Sequence, residues 1–165
     1  MDLNDPKMVE YHDTEYGVKI STFTDCFEVV SLEGFQAGLS WRTILYKREA
    51  FREVFYGFDP HRVSKMTSDD VLRLCEDARI IRHRGKIEAV IKNAQLAIQL
   101  EQDGGFCRFI HSFSDGASLS KALKKLGFKF VGPTTCTEIL TVLGVLPAHE
   151  KACFRYHELK RGSNA

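Results

Sequence analysis

The residues best suited to chemistry lie at positions 32–41, LEGFQAGLSW, and in the earlier triplet Tyr11-His12-Asp13. Glu33 is an acid set among apolar and small residues. Trp41, the only tryptophan of the chain, follows eight positions on, and Tyr11 supplies a second ring from another segment. A carboxylate between aromatic faces suits a flat, electron-poor heterocycle that donates hydrogen bonds, and a cationic purine meets that description. The plainer reading is that Trp41, at the start of an amphipathic helix, belongs to the core and that Glu33 is a solvated acid. On these residues alone both readings stand.

A second stretch, residues 123–135, reads LKKLGFKFVGPTT. It predicts two helices joined by a short turn bounded by Gly127 and Gly132, with Phe128, Phe130 and Val131 as apolar pins. Gly127 suits the left-handed residue that follows a helix. Gly132 lets the backbone approach a partner closely. The next helix offers free N–H groups near Thr134 and Thr135 at its positive end, a seat for phosphate, and Lys129 on the turn adds a charge. This is a helix-hairpin-helix, spanning about residues 119–144, which would grip a nucleic-acid backbone without reading bases. An ordinary αα-hairpin with glycine at its corner is the alternative.

Charge distribution agrees with a polyanionic partner. Net charge is only +1, yet residues 79–92 hold five basic side chains against one acid, and residues 121–129 hold four lysines and no acid. The rest of the chain is therefore net acidic, and two basic segments on such a chain read as a polyanion footprint or as two solvated helix faces.

The elements that must position these residues are nearly all helical. Asp5-Pro6 predicts an N-cap and first helical residue for a helix reaching Tyr11. Thr24 or Asp25 is expected to cap a second helix carrying Phe27, Val30 and Glu33. Ser40 is expected to cap a third, with Ile44, Leu45, Phe51, Val54 and Phe55 as its buried stripe. Asp59-Pro60 opens a short helix, and Thr67 or Ser68 caps another. Residues 84–102 form the longest, ended by Gly104-Gly105. Ser118 is expected to cap the first hairpin helix, and Gly132-Pro133 opens the second, with Cys136, Ile139, Leu140 and Leu143 facing inward. A last helix is expected over about 149–159.

Length and composition predict one all-α domain over residues 1–165, with two helical lobes around a cleft. No apolar run approaches a membrane span, and the polar start does not read as a secretory leader. Five scattered cysteines without a CxxC predict reduced thiols and an intracellular protein.

The segments YHDTEYGV (11–18), LEGFQAGLSWRTILYKREAF (32–51), FDPHRV (58–63), IIRHRGKIEAVIKNA (80–94) and LSKALKKLGFKFVGPTTC (119–136) together resemble the 3-methyladenine DNA glycosylase I family of helix-hairpin-helix base-excision enzymes. The resemblance covers nearly the whole chain. It implies a monofunctional glycosylase that flips N3-methyladenine out of alkylated double-stranded DNA, hydrolyses its glycosidic bond and releases free 3-methyladenine. In that pattern Tyr11 and Trp41 sandwich the base, and Glu33 accepts hydrogen bonds from its exocyclic amine as the principal active-site group. Gln36, Gly38 and Leu39 enter the duplex. Arg82, Arg84 and Lys86 lie along the DNA track. N3-methylation makes the base a cationic leaving group, so no protonation of it is needed. The chemistry requires no cofactor, and a monomer fits a scanning enzyme.

Two departures from the family pattern matter. The family's terminal zinc site uses an N-terminal cysteine, the histidine of YHD, and an H-x3-C pair. Here His12, His149 and Cys153 match, but no cysteine precedes Cys26, so the set is incomplete for a four-ligand site. The family acid or amide before the C-terminal histidine is absent from Leu146-Pro147-Ala148-His149. These departures motivate a second reading, a protein that binds damaged or abasic DNA with weak or no turnover.

Overall fold

The computed structural model describes residues 5–15 and 20–147, and among them every regular element is helical. The expected final helix, with His149 and Cys153, lies outside the described residues. Helix α1 spans Pro6–Thr14, and Asp5 caps it by accepting from the N–H groups of Lys7 and Met8. Helix α2 spans Phe23–Gln36 and α3 spans Trp41–Val54. Ser40 caps α3 as expected, but α2 is capped by Thr22, whose side chain accepts from the Asp25 N–H. Thr24 and Asp25 therefore sit in the first turn. The helix begins two residues earlier because Phe23 has somewhere to pack, against Phe106 at 5.8 Å between ring centroids.

After a left-handed turn at Tyr56, Gly57 and Phe58 come α4 (Pro60–Val63) and α5 (Ser68–Leu74). Asp59 caps α4, and Thr67 and Asp70 form a reciprocal capping box on α5. Helix α6 spans Arg84–Gln102, as its periodicity predicts. A short helix that periodicity does not reveal, α7 (Phe106–His111), follows the two positive-φ glycines, Gly104 and Gly105. Helix α8 spans Gly116–Leu126 and α9 spans Pro133–Val142. Asp115, not Ser118, caps α8. Ser118 lies one turn in and donates its N–H to the Asp115 carboxylate at 2.7 Å.

The core is aromatic where α2, α3 and the turn after α3 meet. Phe35 lies 4.6 Å from Phe51, and Phe55 lies 5.5 Å from Phe58, all four almost without exposure. Such ring contacts add to the apolar area they bury. Ion pairs tie the helices around this cluster: Arg52 of α3 grips both oxygens of Glu28 on α2, at 2.6 and 3.2 Å. Gly116 marks a close approach of α8 to α9. A Cβ there would meet the Pro133 carbonyl and the Thr137 N–H nitrogen at 2.6 Å.

The expectation of reduced thiols fails for one pair. Cys26 of α2 and Cys107 of α7 form a disulfide, with Cα atoms 5.8 Å apart and a separation of 81 positions in sequence. Spacing cannot reveal a pairing that only the packing of α2 on α7 creates. Cys75 and Cys136 are free, and burial pushes the Cys136 thiol up to about 12.

Candidate functional site

Four helices converge on one pocket of about 170 Å³. It is smaller than the roughly 300–1,000 Å³ typical for larger ligands. Helix α1 contributes Met8, Tyr11 and His12; α2 contributes Glu33 and Gln36; α3 contributes Trp41; α9 contributes Glu138 and Val142. Each set follows from helical spacing. Met8 and Tyr11 are three apart, Glu33 and Gln36 three apart, and Glu138 and Val142 four apart, so each pair shares a face.

Helix α1 is held in place at its cap. The Asp5 carboxylate accepts from the Tyr46 hydroxyl at 2.6 Å and pairs with Arg42 at 2.9 Å, both on α3. Those bonds, the Tyr46 hydroxyl first, hold the Asp5 carboxyl below its ordinary range. Arg48 of α3 pairs with Glu15 at 3.0 Å just past the far end of α1. Tyr11 is thereby pinned over α3, with its ring centroid 5.1 Å from that of Trp41 and the planes tilted by 41°. That is direct ring contact. A base cannot lie between the rings in this arrangement, so the expected sandwich requires them to part, or the base to stack beside them.

Glu33 is 3 % exposed, on the last turns of α2. Burial, and secondarily the nearby charge of Glu138, raise its pKa to about 8. At neutral pH and without a cation beside it, the side chain therefore keeps its proton. A cation entering the pocket reverses that balance, because it favours the ionised form. Glu138 is the lining acid that motif reading misses. Its signal is that it is the one charged residue of α9, four positions before Val142.

Beyond Gln36 the chain turns through Ala37 and Gly38, the latter at φ +81°, and Leu39 stands exposed at the tip. Lys86 departs from its expected place on a DNA track. It is 7 % exposed, and its ammonium donates to the carbonyls of Phe35 and Ala37 at 2.9 and 2.8 Å. It caps the C-terminal end of α2 where carbonyls lack helical partners. Burial lowers its pKa. Arg82 and Arg84 are exposed, and Arg84 pairs with Glu88 at 2.8 Å.

The α8–α9 hairpin packs its turn on α2 and α6. Asn93 of α6 clamps Lys129 by both backbone groups, each at 3.0 Å. Gly34 of α2 lies close enough that a Cβ would touch Phe130. Gly127 adopts the left-handed conformation at φ +103°, as expected. Gly132 does not; its φ is −66°, and nothing lies within 4 Å of where a Cβ would point. No side chain caps α9, so none takes up the N–H groups of its first turn, where Thr134 and Thr135 lie, and Lys129 on the preceding turn is exposed.

Of the expected metal ligands only His12 is among the described residues, and it lines the pocket. Among those residues no His, Cys, Asp or Glu cluster forms around it. The cluster that does form is Cys26, Cys107 and His111, with ligand atoms within 4.8 Å, and its two sulfurs are joined. The described residues do not provide the family's zinc set.

This geometry has close counterparts. The methyladenine glycosylase family profile matches residues 2–119 and 114–156. The chain is 44 % identical to DNA-3-methyladenine glycosylase 1 of Escherichia coli K12 over 92 % of both chains. It is 39 % identical to DNA-3-methyladenine glycosylase of Haemophilus influenzae, over 88 % of this chain and 90 % of that one. A crystal structure of a 3-methyladenine DNA glycosylase I superposes with a TM-score of 0.87 at 42 % identity, covering 91 % of this chain and 94 % of that one. A 3-methyladenine DNA glycosylase I from Staphylococcus aureus, studied for its recognition of 3-methyladenine, superposes with a TM-score of 0.86 at 37 % identity over 91 % of each. With its aromatic and acidic pocket beside a docked helical hairpin, the chain belongs to the methyladenine glycosylase family.

Proposed function

We propose that this protein is a monofunctional DNA glycosylase that removes N3-methyladenine from alkylated double-stranded DNA. The single observation that carries the reading is the convergence of Tyr11, Trp41 and the buried Glu33 on one pocket. The alkylated nucleotide leaves the stack and its base enters that pocket, at an unstacking cost of a few kcal/mol offset by the new contacts. Its positive charge draws the proton off Glu33, whose carboxylate then accepts from the exocyclic amine. The indole N–H of Trp41, which has no partner among the described residues, is available to an acceptor on the base.

Cleavage is heterolytic. The electron pair of the C1′–N9 bond goes to the base, which leaves neutral, and water adds to the sugar cation and gives up a proton. Gln36 lines the pocket, and the Gly38-Leu39 tip beside it fills the gap in the duplex. Gly127, Lys129, Gly132, Thr134 and Thr135 hold phosphates, and Arg82 and Arg84 extend the contact. The reading includes a single domain, action as an intracellular monomer, and chemistry without a cofactor. A terminal zinc through His12, His149 and Cys153 is no part of the bond-breaking step.

The test is release of 3-methyladenine from methylated duplex DNA. A charge-assisted hydrogen bond is worth about 1.5–3 kcal/mol, so Glu33→Gln should slow release by roughly ten- to hundred-fold. Binding to undamaged duplex should be unchanged. Folded protein that binds abasic DNA tightly yet releases no base would replace this reading with the damage-binding one.

A further inference from the structure

The pocket holds a second acid. Glu138 reaches it from α9, and it is close enough to Glu33 to hinder that group's ionisation. The charged or titratable side chains lining the pocket are Glu33, Glu138, His12 and Tyr11, and no lysine or arginine is among them. Among the described residues, no hydrogen bond or ion pair holds the carboxyl group of Glu33 or of Glu138. A buried acid without a partner is costly, and a second acid beside it adds to the cost. One ligand relieves both, a cation placed between them.

We infer that Glu138 is a second specificity-determining carboxylate of the base pocket, and that with Glu33 it makes the pocket select purines carrying a full positive ring charge over neutral ones of the same shape. The inference rests on the reading of this pocket as the base site. Its chemistry is particular to a glycosylase for alkylated bases. The base is cationic while attached to the sugar and neutral once the glycosidic electron pair has moved onto it. A pocket with two acids therefore holds the attached base and loses its electrostatic hold on the product. Glu138 acts on recognition and release and is not assigned a step in bond cleavage.

The experiment compares two small ligands by calorimetry on the full chain. One is 3,9-dimethyladeninium, whose charge is fixed and whose N9 substituent mimics the attached sugar. The other is 3-methyladenine, measured at a pH where it is neutral. The intact protein should bind the fixed cation more tightly. Glu138→Gln should weaken the cation by about tenfold, the scale of one charge acting across a partly desolvated pocket, and leave the neutral base within about twofold. Equal weakening of both ligands, or of neither, would overturn the inference while leaving the base site intact. If the intact protein binds both ligands without preferring the cation, the inference fails whatever the variants do. If it binds neither, the base-site reading fails as well. Glu138→Ser provides a smaller neutral replacement should the glutamine variant not fold, and the same split between ligands is expected of it.

Discussion

A buried acid on α2 is a stability cost that the pocket imposes on the fold. The folded protein holds the Glu33 proton up to about pH 8, whereas an unburied glutamate releases it near 4.5. Between those values the folded state binds more protons than the unfolded chain, so stability falls as pH rises through the window and levels off above it. Glu33→Gln has no proton to lose. The difference in unfolding free energy between variant and parent should therefore grow in the variant's favour from pH 5 to pH 9, by on the order of a few kcal/mol. Urea unfolding at stepped pH measures it, and parallel curves for the two proteins would contradict the burial argument. The same residue shows what sequence can convey. Its place beside Trp41 and after Tyr11 is legible as a motif. Its partner Glu138 is not, because 105 positions separate the two and only the packing of α9 against α2 brings them together.

At the scale of elements, local chemistry was legible where it is strong. Asp5-Pro6, Ser40, Asp59-Pro60, Thr67 and Gly127 start or stop helices as their side chains and backbone freedom dictate. The misplaced starts, Thr22 for Thr24 or Asp25 and Asp115 for Ser118, lie among several competent caps, where tertiary contacts choose. Helix α7 is too short for periodicity to register. Lys86 reads as one of a run of surface cations, yet it turns inward because the end of α2 presents carbonyls that need a donor. The α2–α7 disulfide is likewise invisible to spacing, and it closes a loop of about 80 residues. Chain entropy for a loop of that length sets an upper value of about 4.5 kcal/mol, and disulfides typically deliver about 2–4 kcal/mol relative to the dithiol. For a chain of this size that is a fall of about 5–15 °C in melting temperature on full reduction. Thermal unfolding with and without dithiothreitol, scored alongside free thiols, measures it. In a reducing compartment the dithiol form is the relevant one, and the phenylalanine cluster must carry the fold. A Cys26→Ala, Cys107→Ala protein melting with the reduced parent would assign the whole difference to the bond.

Over the whole molecule, α9 joins the two functions. In the proposed reading its N-terminal turn, with Thr134 and Thr135, is the phosphate seat, and Glu138 lines the pocket one turn later. At 1.5 Å per residue that step is only about 5 Å along the axis. The Asn93 clamp and the close packing at Gly116 fix the hairpin to the rest of the protein, so a gripped phosphate stands at a set distance from the pocket. Affinity for undamaged duplex should then come from backbone contacts alone and fall with salt. If Arg82, Arg84, Lys129 and one of the hairpin-helix lysines each neutralise a phosphate, a plot of log affinity against log salt has a slope of about −3 to −4. Lys129→Ala should make that slope shallower by about 0.9 and weaken binding to all sequences alike. Glu33→Gln should leave it untouched, since Glu33 carries no positive charge to neutralise a phosphate. A slope unchanged by Lys129→Ala would move the phosphate seat off the hairpin turn, and an affinity independent of salt would remove nucleic acid as the partner of this surface.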